Sequence, residues 1–314
     1  MSFDFSVLTS ADWPDSLSTL YPSLKKEMQG SDGFIRRIKS SSEAARKAEI
    51  QVALSRFQSL NDLSDLDAQI NGLANDFLRI NNRHSSATYY DHLSKLGDVE
   101  LSVGKPTILL ISKFLSTDSA SPVAADRLKS LVARVVNESL SQANKSNAGE
   151  AGENIVRAIL SASGLRKDEH YREQYKSKSG SDTDFVFPCV PDQQDQNVDL
   201  FMAVQMSSND RARLTSSELK IGGKPFVFTG NGLGASKKKL KDIGAQIIES
   251  QKANRVNLIC FKDEIEKEKA RLREAINNPR RSTKRDELLD RLNYFEEYTW
   301  TIADFAQNVK KKFS

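Results

Sequence analysis

Asp184 opens an apolar run, Thr183-Asp184-Phe185-Val186-Phe187, and a second run, Leu200-Phe201-Met202-Ala203-Val204-Gln205-Met206, carries Gln205 near its end. Adjacent strands lie roughly 5 Å apart, so a carboxylate on one and a polar group at the end of the next can converge at a single sheet edge. Such groups can share one divalent cation, and hydrolysis of a phosphodiester needs that arrangement. The cation neutralises charge building on the nonbridging oxygens and lowers the pKa of the attacking water. Asp184 is the central candidate ligand, and the backbone carbonyl of Val204 offers a second oxygen. Gln205 can orient a water by hydrogen bonding, but unlike lysine it can neither stabilise an anion by charge nor donate a proton as a cation. Asp182 is the rival ligand, because residues two apart on a strand share a face. Asp192, in a polar loop, and Asp199, at the start of the second run, rank below it.

The elements around these residues change character along the chain. From Trp13 to about Asn144 apolar residues recur at three- and four-residue spacing, which predicts an all-helical N-terminal lobe. The small, polar run Ser141 to Gly149 reads as a break, giving a helical lobe over 1–145 and an α/β core over 146–314. In the core, Glu150 to Ser163 reads as an amphipathic helix stopped by Gly164. A polar stretch around Tyr171-Arg172-Glu173-Gln174 follows, then the two runs above. Pro225 to Thr229 and Val256 to Phe261 read as further strands, with a helix from Ser236 to about Ala253 between them. Helix followed by strand implies a crossover, so the fold expected is a central mixed β-sheet flanked by helices. A charge-dense helical insertion at about 264–297, broken at Asn277-Asn278-Pro279, precedes a last strand at Tyr298 to Ile302 and a short basic helix.

With these residues in this order, the stretch from Gly149 to Ile302 resembles the PD-(D/E)XK nuclease superfamily and, within it, the type II restriction endonucleases. The resemblance implies a restriction-endonuclease-like core in which a helix carries a glutamate, one strand carries the metal-binding aspartate, and the next strand ends in an acid-x-lysine pair. Here the helix offers Glu150 and Glu153, the first strand Asp184, and the second Ala203-Val204-Gln205. The chain departs from the pattern twice: Ala203 stands at the acidic position and Gln205 at the lysine position. Some enzymes of this resemblance use glutamine there, and in one branch the acid comes from a later segment, where Glu218 in Thr215-Ser216-Ser217-Glu218-Leu219 falls. The implied set is Asp184, Glu218 and Glu153, with the Val204 carbonyl, around Mg2+, and Gln205 beside them. The competing reading makes Asp184 a strand cap, Gln205 a partner of loop backbone and Glu153 a support of its own helix.

Double-stranded DNA is the substrate the resemblance implies, cut by a homodimer whose two-fold symmetry matches that of its site. Arg211 and Arg213 are candidates for reading the major groove. The turn Gly230-Asn231-Gly232-Leu233-Gly234 lets backbone approach DNA, with Asn231, Ser236 and Lys237 as contacts. Two alternatives stay open: a repair or recombination nuclease of the same superfamily, and a DNA-binding protein with an inactive core. Composition bounds these readings. The net charge of +4 is a mild basic excess, concentrated at Lys237 to Lys241, Arg280 to Arg285 and Lys310 to Lys312, where it can neutralise phosphates or simply solvate a helix face. No apolar run approaches the roughly 18 residues of a membrane span, and the start Met1-Ser2-Phe3-Asp4-Phe5 carries no secretion signal. The two cysteines, Cys189 and Cys260, lack zinc-site neighbours, which predicts free thiols in a reducing cytoplasm. The three histidines, His84, His92 and His170, are isolated and read as surface or packing residues. Gly223-Lys224 is followed by Pro225, so no nucleotide-binding loop is present, and no Ser-His-Asp or Cys-His arrangement is legible.

Overall fold

A computed structural model describes residues 21–22, 24–26, 28–29, 34–57, 62–84, 122–206, 218–232, 239–278 and 284–314. The chain divides into two compact units, Met1–Gln51 with Arg79–Asn147, and Val52–Leu78 with Ala148–Ser314. Elements that precede the first strand among the described residues are helical: α1 (Phe34–Leu54), a short 3-10 turn, α2 (Leu66–Asn82) and α3 (Pro122–Ala162). In the first unit, Leu24, Met28, Leu131, Val135 and Val136 are buried. Lys25 pairs with Glu138 at 2.8 Å, and Arg46 donates to Glu43 and to Asn81.

The second unit is built on a six-stranded mixed sheet in the order β1-β2-β3-β4-β5-β6, so every strand lies beside its neighbour in sequence. The strands are β1 (Arg172–Lys176), β2 (Asp182–Phe187), β3 (Leu200–Gln205), β4 (Lys224–Thr229), β5 (Asn257–Cys260) and β6 (Thr299–Thr301). The first two pairings are antiparallel and the remaining three parallel. The parallel connections run through α4 (Ala245–Ala253) and through the pair α5 (Lys262–Asn277) and α6 (Arg285–Glu297). Helix α7 (Ile302–Phe313) closes the chain. The mixed sheet with flanking helices is therefore the fold that the alternation of strand and helix signals required.

Phe, Val and Leu dominate β2 to β5 because these strands are covered on both faces. One core gathers Val186, Phe201, Val227 and Leu258 with Ile248, Leu272, Leu292 and Phe295 of α4 to α6. Elsewhere aromatic rings dock α7 on the sheet, with Phe226 against Phe305 at 5.5 Å and Phe187 against Phe313 at 5.4 Å. Two carboxylates, one half-buried and one buried, organise the helices. Asp67, in the first turn of α2, accepts from the Lys262 amide at 3.0 Å and the Ala303 amide at 3.2 Å, so it caps α5 and α7 together. Glu268 is 4% exposed and binds both Arg271 and Arg291, while Arg291 also donates to the Ile243 and Leu240 carbonyls.

Three local expectations are corrected. Ser141 to Gly149 does not break the helix, since α3 passes through it without interruption, although the division between the two compact units falls inside this run, after Asn147. The run lacks proline, and glycine costs a helix only about 1 kcal/mol per residue relative to alanine, which packing on either side offsets. The polar stretch after Tyr171 is a strand, β1, whose ladder to β2 supplies what its propensity does not. The helix from Ser236 is shorter than expected. Leu240–Asp242 is a 3-10 turn and α4 starts after Gly244, while 233–238 lie outside the described residues.

Candidate functional site

Register sets the site. Because 185 pairs with 202 and 173 with 185, residue 184 stands opposite both 203 and 174. Gln174, Asp184 and Ala203 thus form one row across β1, β2 and β3, with Gln205 two residues beyond Ala203 on the same face. The Asp184 carboxylate accepts from the Val204 amide at 2.6 Å, tying its side chain to β3 just before Gln205. Val204 therefore meets Asp184 through its N–H.

Helix α3 delivers Glu153 to the same end of β3, and Gly152 makes this possible. A methyl at position 152 would lie 2.7 Å from Val204 Cγ1 and 2.8 Å from Met206 Sδ, so only glycine lets the helix come this close without displacing them. Glu153 is clamped by Arg157 one turn along, at 3.0 Å. Arg157 also forks onto Glu173 of β1, at 2.9 Å through Nε and 3.0 Å through Nη2. Lys167 adds a further contact to Glu173 at 3.0 Å. Burial works to raise the Glu173 carboxyl, but these two cations hold it below the usual carboxylate range. The Arg157 fork thereby fastens α3 to β1 across the mouth of the site.

The opposite happens at Asp184. Burial pushes its carboxyl up to about 6, and the charges of Glu153 and Glu218 add to the rise, against hydrogen bonds from the Val204 amide and the Gln174 side chain. The charges of Glu153, on α3, and of Glu218, in the 3-10 turn Glu218–Lys220, therefore both bear on Asp184 of β2. Next to them the Gln205 Oε1 atom is buried without a hydrogen-bond partner. A hard oxygen acceptor left without a donor, on the strand beside the raised Asp184 carboxyl, is the kind of atom that could contribute to holding a hard cation such as Mg2+. Asp184 and Gln205 Oε1 are the atoms that could contribute to it, with Glu218 near enough for its charge to bear on Asp184, whereas Glu153 is engaged by Arg157. Among the described residues no group of three or more His, Cys, Asp or Glu side chains is placed to hold a metal ion. An Mg2+ site that keeps several waters needs only one or two carboxylates.

Of the other candidates, Asp182 is exposed at the end of β2, paired with Lys176 in the ladder. Asp192 binds Arg172 and the Lys176 amide, and Asp199 binds Lys312. Asn231, expected to face DNA, is fully buried, and its amide donates to the Lys239 carbonyl at 3.1 Å. Its chemistry there is to hold the turn, since a side chain packed inside cannot meet a base edge. Arg211, Arg213, Ser236 and Lys237 lie outside the described residues. Gln174, Arg157, Glu173 and Gly152 escaped the sequence reading. The Glu153-Arg157 spacing was the one signal available, because i,i+4 pairs of opposite charge face each other on a helix.

Comparison with protein-family models, curated protein sequences and solved structures returns no match. No helix among the described residues is long and apolar enough to cross a membrane.

Proposed function

We propose that this chain is a Mg2+-dependent endodeoxyribonuclease with a restriction-endonuclease-like core, a type II enzyme that cuts double-stranded DNA at a short specific sequence as a homodimer. The observation that carries the reading is the placement of Asp184, raised toward neutrality between Glu153 and Glu218 and beside the unpartnered oxygen of Gln205. Perturbed carboxylates gather where a site is arranged for function, because a fold selected for stability alone would separate them. Asp184 and Glu218 would hold the cation, with Gln205 Oε1 completing the protein's share. When bound, Mg2+ supplies charge neutralisation at the scissile phosphate and a more acidic water. Gln205 also has its amide Nε2, which can donate to a phosphate oxygen or orient the water. Arg157 keeps Glu153 at the rim, and basic side chains at Lys310 and Lys311 are available to the DNA backbone.

One observation favours a second reading, a DNA-binding protein without activity: alanine stands at 203, and Glu153 is already neutralised by Arg157. Phage DNA incubated with the purified protein and Mg2+ separates the two. Discrete bands are expected, and they must vanish in Asp184→Ala while a gel shift persists. A smear points to a repair or recombination nuclease, and shifted but uncut DNA to the inactive binder.

A further inference from the structure

Met206 follows β3 directly and lies between two stretches of bare backbone. A methyl at Gly152 of α3 would stand 2.9 Å from Met206 Cγ and 2.8 Å from its Sδ, and one at Gly230, just after β4, 3.0 Å from its Cε. The thioether thus packs on a glycine at each end, and any side chain at either position would take the room it fills. Methionine suits so narrow a slot because it is unbranched and turns freely about three bonds. The residue before it is held from both sides. The Gln205 carbonyl accepts from the Gly230 amide at 2.9 Å, and the Val204 side chain packs on the same Gly152 that Met206 meets. Alternation along the strand sends 204 and 206 to the α3 face and 205 to the other. In that setting Gln205 Oε1 is buried without a hydrogen-bond partner. A buried acceptor with no donor is unfavourable, and at the end of a strand a modest rotation of the backbone would carry it to water. That rotation is blocked while Met206 fills the space between Gly152 and Gly230.

We propose that Met206 is a positioning residue of the site: wedged between two glycines, it locks the end of β3 so that Gln205 keeps its side-chain oxygen inside the protein, unpaired and ready for a cation. Met206 acts through Gln205 and not by contact with the ion. The inference rests on the metal-dependent reading of the site. It also gives Gly152 and Gly230 a shared purpose, since each leaves room for one end of the same thioether.

The test uses the full chain and reads Mn2+ binding by electron paramagnetic resonance, without DNA. Met206→Ala empties the space between the glycines, and binding should weaken about tenfold, as when an outer partner of a metal ligand is lost. Met206→Leu, close to methionine in volume, should recover most of that loss. The same alanine change in a Gln205→Ala background should weaken binding no further, because the group through which Met206 acts is already gone. A general loosening of the fold would lower binding by the same factor in both backgrounds, and that result overturns the proposal. So does Mn2+ binding by Met206→Ala equal to that of the unaltered protein, or an unaltered protein that binds no Mn2+. Where circular dichroism shows Met206→Ala unfolded, Met206→Val, which cannot reach Gly230, takes its place with the same expected loss. The expected pattern in a protein that cuts no plasmid DNA supports the role of Met206 and rejects the nuclease, whereas cleavage with Mn2+ binding indifferent to residue 206 does the reverse.

Discussion

Replacing Asp184 by asparagine should make the protein more stable. The carboxyl is shifted from 3.8 to about 6, chiefly by burial and then by Glu153 and Glu218, so its ionised form is disfavoured in the native state. At about 1.4 kcal/mol per pKa unit, the ionised group costs the fold at most about 3 kcal/mol at neutral pH. Asparagine keeps an oxygen to accept from the Val204 amide and removes the charge. The sign of the pH dependence follows. A carboxyl whose native pKa lies above its unfolded value binds the proton more tightly when folded, so this contribution falls as pH rises from about 4 through 6. Differential scanning calorimetry at pH 8 should show Asp184→Asn melting higher by roughly 3–8 °C, with the gain shrinking below pH 6 and gone near pH 4. Mg2+ should raise the melting temperature of the unaltered protein, which carries the full donor set, and leave the variant nearly unmoved. An asparagine variant that melts lower at pH 8 would refute the reasoning, because the carboxylate would then be a structural clip.

Two further substitutions probe the frame around the site. Arg291→Ala removes one partner of the buried Glu268 and the donor to two carbonyls, and should destabilise the protein by about 3 kcal/mol, measured by urea denaturation; a loss under 1 kcal/mol would mean that Arg271 alone satisfies Glu268. Gly152→Val places side-chain carbon against Val204 and Met206, and should cost roughly 1–3 kcal/mol while abolishing cleavage, because α3 must retreat with Glu153. Cleavage at the normal rate in a folded Gly152→Val protein would show that the close approach of α3 has no part in the site.

The sequence by itself determined the mixed sheet with its helical flanks, since the apolar runs at β2 to β5 are short and aromatic enough to be covered strands, and helix signals separate β4 from β5 and β5 from β6, which pair in parallel; the parallel pairing of β3 with β4 carried no such signal. It also singled out Asp184 and Gln205, because polar side chains at the ends of apolar runs stand out from the pattern, whereas Glu153 and Glu218 were suggested by the family resemblance alone. Tertiary structure alone decided the rest. Gln174 and Glu173 belong to a strand with little strand propensity, which exists because β2 offers it a ladder. The polar run at 141–149 stays helical because packing outweighs a small propensity cost, and Asn231 turned inward because its amide found the Lys239 carbonyl. Periodicity reports which way a residue faces along its own element. It carries nothing about which element arrives opposite, and the charge repulsion at Asp184, the Arg157 fork and the close approach at Gly152 all arise between segments that only the folded chain brings together.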